Sequence, residues 1–453
     1  MQFSKWCHIF KRENISALVH SLTLSVVYVP TKELKCFMKD LESGGVIHDD
    51  YTFDLLNSQG FIVSSAEADE LYFSEIYEKL RSDMTLELLY LLVTDGCNLK
   101  CSYCFEETPE ITKTFKPSLM NSETVKRALD LFASQISLYG NPEKNKVIHL
   151  YGGEPLVNRS AVYDAIDYTK YLKSRGILPA SCQLAIVTNG VLLNDEDAHR
   201  FADNKVIVGL SVDGPASITN RYRLPKKNDL IVFDEILRSF RILKKHGVSI
   251  GLSVTLTPDA VNDFDNFLKF FTEGEFSQVD GVSLNLLHYN PNIFLPDDYY
   301  QKAVACQIKA FEVFRRLGIY EERMMRKVRS FVNQEPMYAD CGVVGRQLVI
   351  APDGRIGVCQ DFVKPRKYFP CSVYDSSHNN LLETLFNEWK DRTPFNMSQC
   401  LNCPALAFCG GGCPASAELK TGNRYNLDER ACYHSKQVLE WLVWDAFEQL
   451  KLT

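Results

Sequence analysis

Six short apolar runs recur between residues 85 and 290, with stretches that have one apolar face between them. The runs read LLYLLV, KVIHLYGGEP, QLAIVTNG, KVIVGLSVDG, VSIGLSVTLTP and GVSLNLLHYN. Residues 122–138 and 233–246 are two of the intervening stretches, and their apolar residues have helical spacing. Strands that alternate with helices predict βα units and a parallel sheet. Six units instead of eight predict a partial barrel, open on the side where a large substrate would enter.

Polar, glycine or cysteine residues come directly after these runs. In parallel α/β folds the carboxyl ends of the strands meet at one edge of the sheet, and ligands bind there. We therefore expect the candidate functional residues at this edge. They are Cys97, Cys101, Cys104, Gly152, Gly153, Glu154, Pro155, Thr188, Asn189, Ser211 and Asp213.

Residues 1–82 have another pattern and predict a small separate module. Residues 22–29, LTLSVVYV, predict a half-buried strand, and apolar residues in 34–41 fall on one face of a short helix. A second short helix near 51–56 would lead into the strand FIVSS. Strands and short helices in a module of this size predict a winged-helix-like arrangement. A cap on the next domain is the alternative, and mixed charge argues against DNA binding.

The remaining chain divides into two further segments. Residues 296–334 predict a helical linker between the barrel, 85–295, and the last region, 335–453. That last region is rich in loops and cysteines, so we expect it to depend on bound metal for stability. It ends in KQVLEWLVWDAFEQL, which predicts a packed final helix.

Composition and charge exclude several classes of protein. The 453 residues carry a net charge of −7, which does not favour binding to a nucleic acid or an anionic membrane. No apolar run approaches the roughly 20 residues needed to cross a bilayer, and the N-terminus lacks the apolar stretch of a secretory signal. We therefore expect a cytoplasmic protein.

Cysteine is the residue whose distribution carries most chemistry. There are 15 cysteines, and ten of them fall into three groups. In a reducing compartment such groups predict metal ligands or catalysts. The five scattered cysteines, Cys7, Cys36, Cys182, Cys306 and Cys371, are more typical of small buried apolar residues.

The first group has the spacing C-x3-C-x2-C, at Cys97, Cys101 and Cys104. Three thiolates from one loop can bind three irons of a cubic iron–sulfur cluster and leave the fourth iron open. Clusters that only transfer electrons take four cysteines, and a structural zinc site needs a fourth protein ligand that this loop does not supply. The loop therefore predicts a cluster at which another molecule binds iron.

The stretch CNLKCSYCF, following an apolar strand, resembles the signature of radical S-adenosylmethionine (radical SAM) enzymes. The resemblance implies an α/β fold with a partial (β/α)6, TIM-like barrel. It also implies that S-adenosylmethionine binds the open iron and is cleaved to a 5′-deoxyadenosyl radical, which abstracts a hydrogen atom from the substrate.

Other strand ends match this family residue by residue. Gly152, Gly153, Glu154 and Pro155 reproduce its GGEP motif, which holds the ammonium group of S-adenosylmethionine. LSVDG, with Ser211 and Asp213, resembles its S-x-D-G motif, whose serine contacts the cofactor, and Thr188 and Asn189 stand at the third strand end. Either Arg221 or Arg223 would pair with the cofactor carboxylate.

The cysteines between residues 341 and 432 have a spacing that is compatible with more than one metal. Cys341, Gly354 and Cys359 have the spacing C-x12-G-x4-C, and a run C-x2-C-x5-C-x3-C-x18-C follows. On spacing alone zinc remains an alternative. This stretch also resembles the SPASM extension of radical SAM enzymes, which binds two auxiliary [4Fe–4S] clusters and would bring the total to three. The resemblance assigns Cys400, Cys403, Cys409 and Cys432 to the outer cluster and Cys341, Cys359 and Cys413 to the inner one.

This chain departs from anaerobic sulfatase-maturating enzymes at two places. Those enzymes supply one more cysteine shortly before the first of the inner set, where this chain reads NQEPMYAD. The inner cluster would then have an open iron able to hold a substrate thiolate. In those enzymes a catalytic aspartate follows the cysteine directly, whereas Gln360 follows Cys359 here and the acid is Asp361, our candidate base.

Many SPASM enzymes that modify ribosomal peptides begin with a winged-helix-like element that binds the leader peptide by strand addition. Residues 16–82 resemble it. We therefore expect a ribosomal precursor peptide with a leader as substrate and an external reductant such as flavodoxin or ferredoxin. The expected product is a cysteine-to-carbon thioether cross-link. The alternatives are a carbon–carbon or carbon–oxygen cross-link, oxidation of a residue, or a non-catalytic iron–sulfur carrier, against which the GGEP and LSVDG motifs argue.

Overall fold

The described part of the computed structural model forms two units. It comprises residues 1–43, 50–105, 116–227, 229–290, 293–375 and 378–452. The first unit contains Met1–Met84, Met324–Cys341 and Arg392–Thr453, and the second contains Thr85–Arg323 and Gly342–Asp391. The sequence predicts four consecutive segments, at 1–82, 85–295, 296–334 and 335–453. Their division by function stays a prediction.

The amino-terminal part of the first unit combines a three-stranded antiparallel sheet with helices. Its elements are β1 Gln2–Phe3, β2 Cys7–Arg12, β3 Ile15–His20, β4 Val26–Pro30, α1 Thr31–Ser43, α2 Asp50–Ser58, β5 Ile62–Val63 and α3 Ala66–Ser82. The strand order is β2-β3-β4, and β1 pairs with β5. Leu18, Val27, Phe37 and Phe61 are among the residues of its apolar core.

Residues 22–29 only partly form the strand that was predicted. β4 begins at Val26 because residues 20–25 make a tight turn, in which Leu24 has φ +63° and donates its N–H to the carbonyl of His20. A left-handed residue cannot belong to a regular strand. The predicted helices at 34–41 and 51–56 are present as parts of α1 and α2.

All six predicted strands are present in the second unit. They are β6 Leu88–Thr94, β7 Val147–Gly152, β8 Gln183–Thr188, β9 Ile207–Ser211, β10 Ile250–Leu256 and β11 Gly281–Leu286. Each pairs in parallel with the next. The mixed α/β fold with a large, mainly parallel sheet is therefore confirmed.

Helices connect these strands. They are α4 Ser122–Tyr139, α5 Arg159–Ser174, α6 Asp195–Asp203, α7 Ala216–Tyr222, α8 Val232–Lys245, α9 Pro258–Asn262 and α10 Phe264–Thr272, and after β11 the chain forms α11 Tyr299–Leu317 and α12 Glu322–Val332. The predicted helices at 122–138 and 233–246 correspond to α4 and α8 within one residue at each end. α4 begins where Asn121 accepts the backbone N–H of Thr124, which satisfies an otherwise unpaired donor of the first turn.

The sheet is longer than the sequence predicted. β12 Gln347–Ile350, β13 Arg355–Gly357 and β14 Cys371–Ser372 extend it beyond β6. β12 pairs with β6 in parallel, and Leu92, Val349 and Phe369 share one apolar cluster. The chain then continues through α13 His378–Lys390, α14 Leu406–Cys409, α15 Pro414–Thr421 and α16 Glu429–Leu452.

α16 contains the predicted final helix and packs within the first unit. Tyr28 of β4 donates its hydroxyl hydrogen to the carbonyl of Val443 and its ring lies 5.0 Å from that of Phe447. None of the described helices is both long enough and apolar enough to cross a membrane.

Candidate active site

The three-cysteine loop follows β6 and is fixed by the segment after α7. Ser102 donates its N–H to the carbonyl of Tyr222 at 2.9 Å, and Lys100 donates to Leu224 at 2.8 Å. In the same antiparallel bridge, Lys226 donates its backbone N–H to the carbonyl of Asn98 at 3.1 Å. These bonds hold the backbone between Cys97 and Cys104, whose thiols are half-buried.

The GGEP motif lies directly against this loop. Gly152 has φ +146°, and a Cβ atom there would lie 2.0 Å from the carbonyl oxygen of Thr94. A Cβ on Gly153 would lie 2.4 Å from the carbonyl oxygen of Gly96, to which Glu154 also donates its N–H at 2.9 Å. Only glycine permits this close approach of two backbones.

Glu154 connects the second and third strand ends. Its buried carboxylate accepts the hydroxyl of Thr188 at 2.7 Å and the backbone N–H of Asn189 at 2.7 Å. A third donor is the N–H of Leu156, at 3.0 Å. Burial raises the pKa of Glu154, and the three donors oppose that rise by favouring the charged form. A carboxylate offers about four acceptor positions, so one remains for a cationic ligand.

Asn189 extends this network to the first cysteine. Its side-chain amide donates to Asn98 Oδ1 at 2.8 Å and lies 3.8 Å from Cys97 Sγ. The N–H of Leu99 also points at that sulfur, at 3.4 Å. Burial, and secondarily the charge of Glu154, raise the pKa of Cys97 to about 12. A thiolate here needs compensation by a cation such as iron, because the surroundings disfavour a free anion.

Asp213 forms the centre of a second buried network. It accepts Arg223 Nε at 2.8 Å and Nη2 at 3.0 Å, and the hydroxyl of Tyr103 at 2.6 Å. Thr255 adds its backbone N–H at 3.2 Å. The sequence reasoning missed Tyr103, although its place between Cys101 and Cys104 in the cysteine motif was a usable signal.

The two candidate arginines differ sharply in environment. Arg223 is 7% exposed and forms a buried ion pair with Asp213. Burial raises the pKa of Cys101 to about 12, and the positive charge of Arg223 opposes that rise. The side chain of Arg221 is 68% exposed and pairs with Asp259 at 2.7 Å. Of the two arginines, Arg223 is therefore the one whose charge lies next to the cysteine loop.

The remaining predicted residues of the second unit have simpler surroundings. Ser211 ends β9 half-buried, beside Ser253 of β10, and Pro155 starts a short helical turn, Pro155–Asn158. Asp361 lies half-buried in the turn Gln360–Phe362, directly after Cys359. Cys371 lies in β14, opposite Ile356 of β13.

The first unit brings together the four cysteines expected to bind the outer cluster. Cys403 donates its N–H to the carbonyl of Cys400 at 2.9 Å, so these two share a tight turn. Burial raises the pKa of Cys432 to about 12, with Cys409 and Cys400 as further causes because their charges act on it. Four sulfur donors in one place match the preference of zinc and of iron–sulfur clusters alike.

The three cysteines of the expected inner set are divided between the units. Cys341 and Cys413 belong to the first unit, and Cys359 belongs to the second. Cys413 begins α15, where its N–H donates to Asp428 at 2.9 Å. Cys359 is buried, two residues after the end of β13.

The domain that carries the three-cysteine loop matches a known family. Residues 91–271 match the model of the radical SAM superfamily. This range contains the cysteine loop, the GGEP motif and the Asp213 network. The chain therefore carries a radical SAM domain over these residues.

Several named proteins are similar to this chain over most of its length. The chain is 24% identical, over 97% of its own length and 95% of the other's, to the radical SAM cyclopropyl synthase TigE of Paramaledivibacter caminithermalis. It is 24% identical to the cysteine-type anaerobic sulfatase-maturating enzyme of Clostridium perfringens, over 79% of this chain and 96% of that enzyme. Streptococcus suis SuiB bound to the precursor peptide SuiA has a similar fold, with a TM-score of 0.55 and 14% identity over 95% of this chain and 99% of that one.

Proposed function

We propose that the chain is a SPASM-type maturase that uses three [4Fe–4S] clusters and S-adenosylmethionine to form a bond within a ribosomal precursor peptide. The observation that carries the proposal is the meeting of the cysteine loop with the Glu154 and Asp213 networks at one edge of the parallel sheet. Similarity to a radical SAM cyclopropyl synthase over 97% of the chain and to a sulfatase-maturating enzyme over 79% of it supports the proposal.

The residues around the first loop fit a site for a cluster and S-adenosylmethionine. Cys97, Cys101 and Cys104 would bind three irons, and Gly152 and Gly153 let the backbone of the GGEP motif pack directly against the start of the cysteine loop. Glu154, with Thr188 and Asn189, would fix the ammonium group, and Ser211 would contact the cofactor. Arg223 keeps a positive charge beside Cys101 while it holds Asp213 in place. When bound, the cluster and S-adenosylmethionine supply a 5′-deoxyadenosyl radical.

The grouped cysteines between residues 341 and 432 would hold the two auxiliary clusters. Cys400, Cys403, Cys409 and Cys432 would ligate one, and Cys341, Cys359 and Cys413 the other. A buried guanidinium nitrogen of Arg392 without a hydrogen-bond partner stands among these thiols, which suits an anionic cluster better than neutral thiols. Three clusters predict about twelve irons per chain, supplied with electrons by flavodoxin or ferredoxin.

The amino-terminal sheet offers two edges at which a leader peptide could add a strand. β2 and β4 are the outer strands of the described three-stranded sheet. The hairpin β2–β3 turns over two residues, so Arg12 and Ile15 form a hydrogen-bonded pair and alternate residues follow. The N–H of Ile9 in β2 and that of Val26 in β4 therefore point away from β3 and are available to an added strand.

Proline at these two positions tests the leader site. Ile9→Pro removes an outward donor from one edge and Val26→Pro from the other, while the bonds to β3 remain. We expect one of the two to weaken binding of a fluorescent leader peptide at least tenfold, and the other serves as its matched control. Unchanged binding by both variants would contradict strand addition.

Two bond types have specific support. A thioether fits an inner cluster with an open iron, because NQEPMYAD lacks the further cysteine of the sulfatase-maturating enzymes. A carbon–carbon bond is favoured by the similarity to a cyclopropyl synthase over 97% of the chain. Oxidation of a sulfatase residue is disfavoured, because Gln360 and not an aspartate follows Cys359, which leaves Asp361 as the nearest acid.

Mass spectrometry of a precursor distinguishes these reactions. A short peptide encoded beside the enzyme is co-expressed with it under anaerobic conditions, and half of the product is treated with a thiol alkylator. Loss of two hydrogens with loss of one reactive thiol identifies a thioether. Loss of two hydrogens with every thiol intact identifies a carbon–carbon or carbon–oxygen link. Absence of 5′-deoxyadenosine from iron-loaded protein with dithionite and S-adenosylmethionine would overturn the proposal.

A further inference from the structure

Arg392 is a buried cation in the cysteine-rich part of the first unit. It is 2% exposed, and its Nε and Nη2 atoms donate to the backbone carbonyls of Arg424 and Asn426. Its Nη1 atom is buried and has no hydrogen-bond partner. Within the described ranges, no carboxylate lies within ion-pair distance of this guanidinium. The buried guanidinium of Arg223, in contrast, pairs with Asp213. A permanently charged group that is buried in this way needs an anion nearby.

The groups around Arg392 are thiols, the carboxylate of Asp428 and a turn of glycines. Gly410, Gly411 and Gly412 all have positive φ, between 69° and 79°, and carry the chain from Cys409 to Cys413. A Cβ atom on Gly411 would lie 2.8 Å from Arg392 Nη1, so the turn passes directly over the unpartnered nitrogen. Burial lowers the pKa of Arg392, and Cys413, Cys400, Asp428 and Cys409 oppose that shift through their charges.

A second buried cation in the same unit, Lys327, differs from Arg392 because its charge has a carboxylate partner. Lys327 is 2% exposed and donates to the carbonyls of Phe408 and Cys409 at 2.9 and 3.0 Å. It also lies 3.4 Å from the carboxylate of Asp340, so its charge is balanced within the protein. Among the described residues Arg392 has no carboxylate at ion-pair distance. Asp428, whose charge also acts on it, already accepts Arg430 Nη2 and the N–H of Cys413, and the other anion-forming groups around Arg392 are thiols.

We infer that Arg392 is the charge partner of the iron–sulfur centre held by the cysteines around it, and that it raises the reduction potential of that centre. This inference rests on the proposed auxiliary clusters. A cubic cluster with thiolate ligands is anionic and becomes more so when it accepts an electron. A fixed positive charge in a region of low dielectric stabilises the reduced form more than the oxidised form. Arg392 would thus act on the reaction through the cluster, as a tuning residue.

The test isolates the auxiliary centres. Cys97, Cys101 and Cys104 are all changed to alanine, which removes the first cluster site, and the protein is reconstituted with iron and sulfide under anaerobic conditions. Arg392→Gln, which keeps hydrogen-bond donors but loses the charge, and Arg392→Lys, which keeps the charge, are compared in this background. Arg346→Gln, whose arginine pairs with Glu87 in the second unit, is the control. Iron content, far-UV circular dichroism and a redox titration followed by electron paramagnetic resonance are measured.

We expect Arg392→Gln to lower the ratio of reduced to oxidised auxiliary cluster about tenfold at a fixed potential, a shift of about 59 mV for one electron. Arg392→Lys and Arg346→Gln should stay near the parent. Loss of iron from Arg392→Gln but not from Arg392→Lys would support the same role, because charge alone separates these variants.

Three results would overturn the inference. The first is an unchanged potential in Arg392→Gln with full iron content. The second is loss of iron from both variants, since the shape of the guanidinium and not its charge would then be needed. The third is a parent background that binds no iron, which would refute the auxiliary clusters themselves.

Discussion

Arg221 and Arg223 are two positions apart, yet their substitutions should differ greatly in effect. Arg223→Met would leave the buried carboxylate of Asp213 without its cation, which costs about 3–5 kcal/mol. Arg221→Met removes an exposed pair with Asp259 and should cost less than about 1 kcal/mol. Urea unfolding followed by circular dichroism measures both. Equal losses in the two variants would contradict the geometry of the Asp213 network.

His149 should make stability depend on pH. Its ring stacks on Tyr90 at 4.7 Å, and burial lowers its pKa from 6.5 to about 4. Between these values the unfolded chain binds the proton more readily than the native one, so stability is present above pH 6.5 and is lost as pH falls towards 4. This change in the free energy of unfolding is at most about 3 kcal/mol. It is smaller to the extent that solvent still reaches the ring.

His149→Gln should remove this part of the pH dependence. The difference in unfolding free energy between parent and variant, measured between pH 4 and 7 in the same buffer series, isolates it from the acid lability of the iron. A difference that does not change across this range would mean that His149 titrates normally in the native state.

At the scale of elements, the contact between the ends of β6 and β7 depends on one glycine. Gly152→Ala places a Cβ atom 2.0 Å from the carbonyl oxygen of Thr94 and should separate the GGEP motif from the cysteine loop. Gly176→Ala is the matched control, because Gly176 also has positive φ, +67°, but has open space around it. The control should cost about 1–2 kcal/mol.

Two measurements distinguish these glycine variants. The melting temperature should fall further for Gly152→Ala than for Gly176→Ala, and equilibrium dialysis should show lost binding of S-adenosylmethionine for Gly152→Ala alone. Retained binding by Gly152→Ala would show that the two strand ends can separate without harm to the site.

The strands themselves illustrate which elements a sequence reveals. β6 to β11 could be predicted because each is an apolar run ended by glycine, cysteine or a polar residue. β12, β13 and β14 could not, because they are two to four residues long and join the sheet through a pairing of β12 with a strand far away in the sequence. Gln347 of β12 pairs with Leu88 of β6, and no local pattern indicates such a partner.

At the scale of the whole molecule, residues 1–82 supply packing partners to the end of the chain. Phe73 lies 5.9 Å from Phe395, and Tyr77 lies 5.9 Å from Tyr338. Ala407 donates its N–H to the carbonyl of Ser21 at 3.0 Å. A shortened chain of residues 83–453 should therefore be less stable, since it exposes these aromatic rings to water.

The shortened chain can be tested by its iron content and melting temperature. We expect it to lose the iron proposed for Cys400, Cys403, Cys409 and Cys432, whereas Ile9→Pro, which alters only a strand edge, should keep it. Full iron content and an unchanged melting temperature in the shortened chain would show that residues 1–82 are separable. Leader binding is therefore better tested by substitutions than by deletion.

The sequence by itself determined the α/β class, the six strands, and the order of cysteine, glycine and carboxylate groups along the strand ends. These features could be predicted because the spacing of apolar residues and the spacing of cysteines are local properties of a chain. Tertiary structure decided the rest. It paired Arg223 and not Arg221 with Asp213, added β12 to the barrel sheet, joined residues 1–84 to the last 62 residues in one unit, and left Arg392 among thiols. These four features depend on contacts between residues that lie apart in the sequence, and no local sequence pattern encodes the geometry of such contacts.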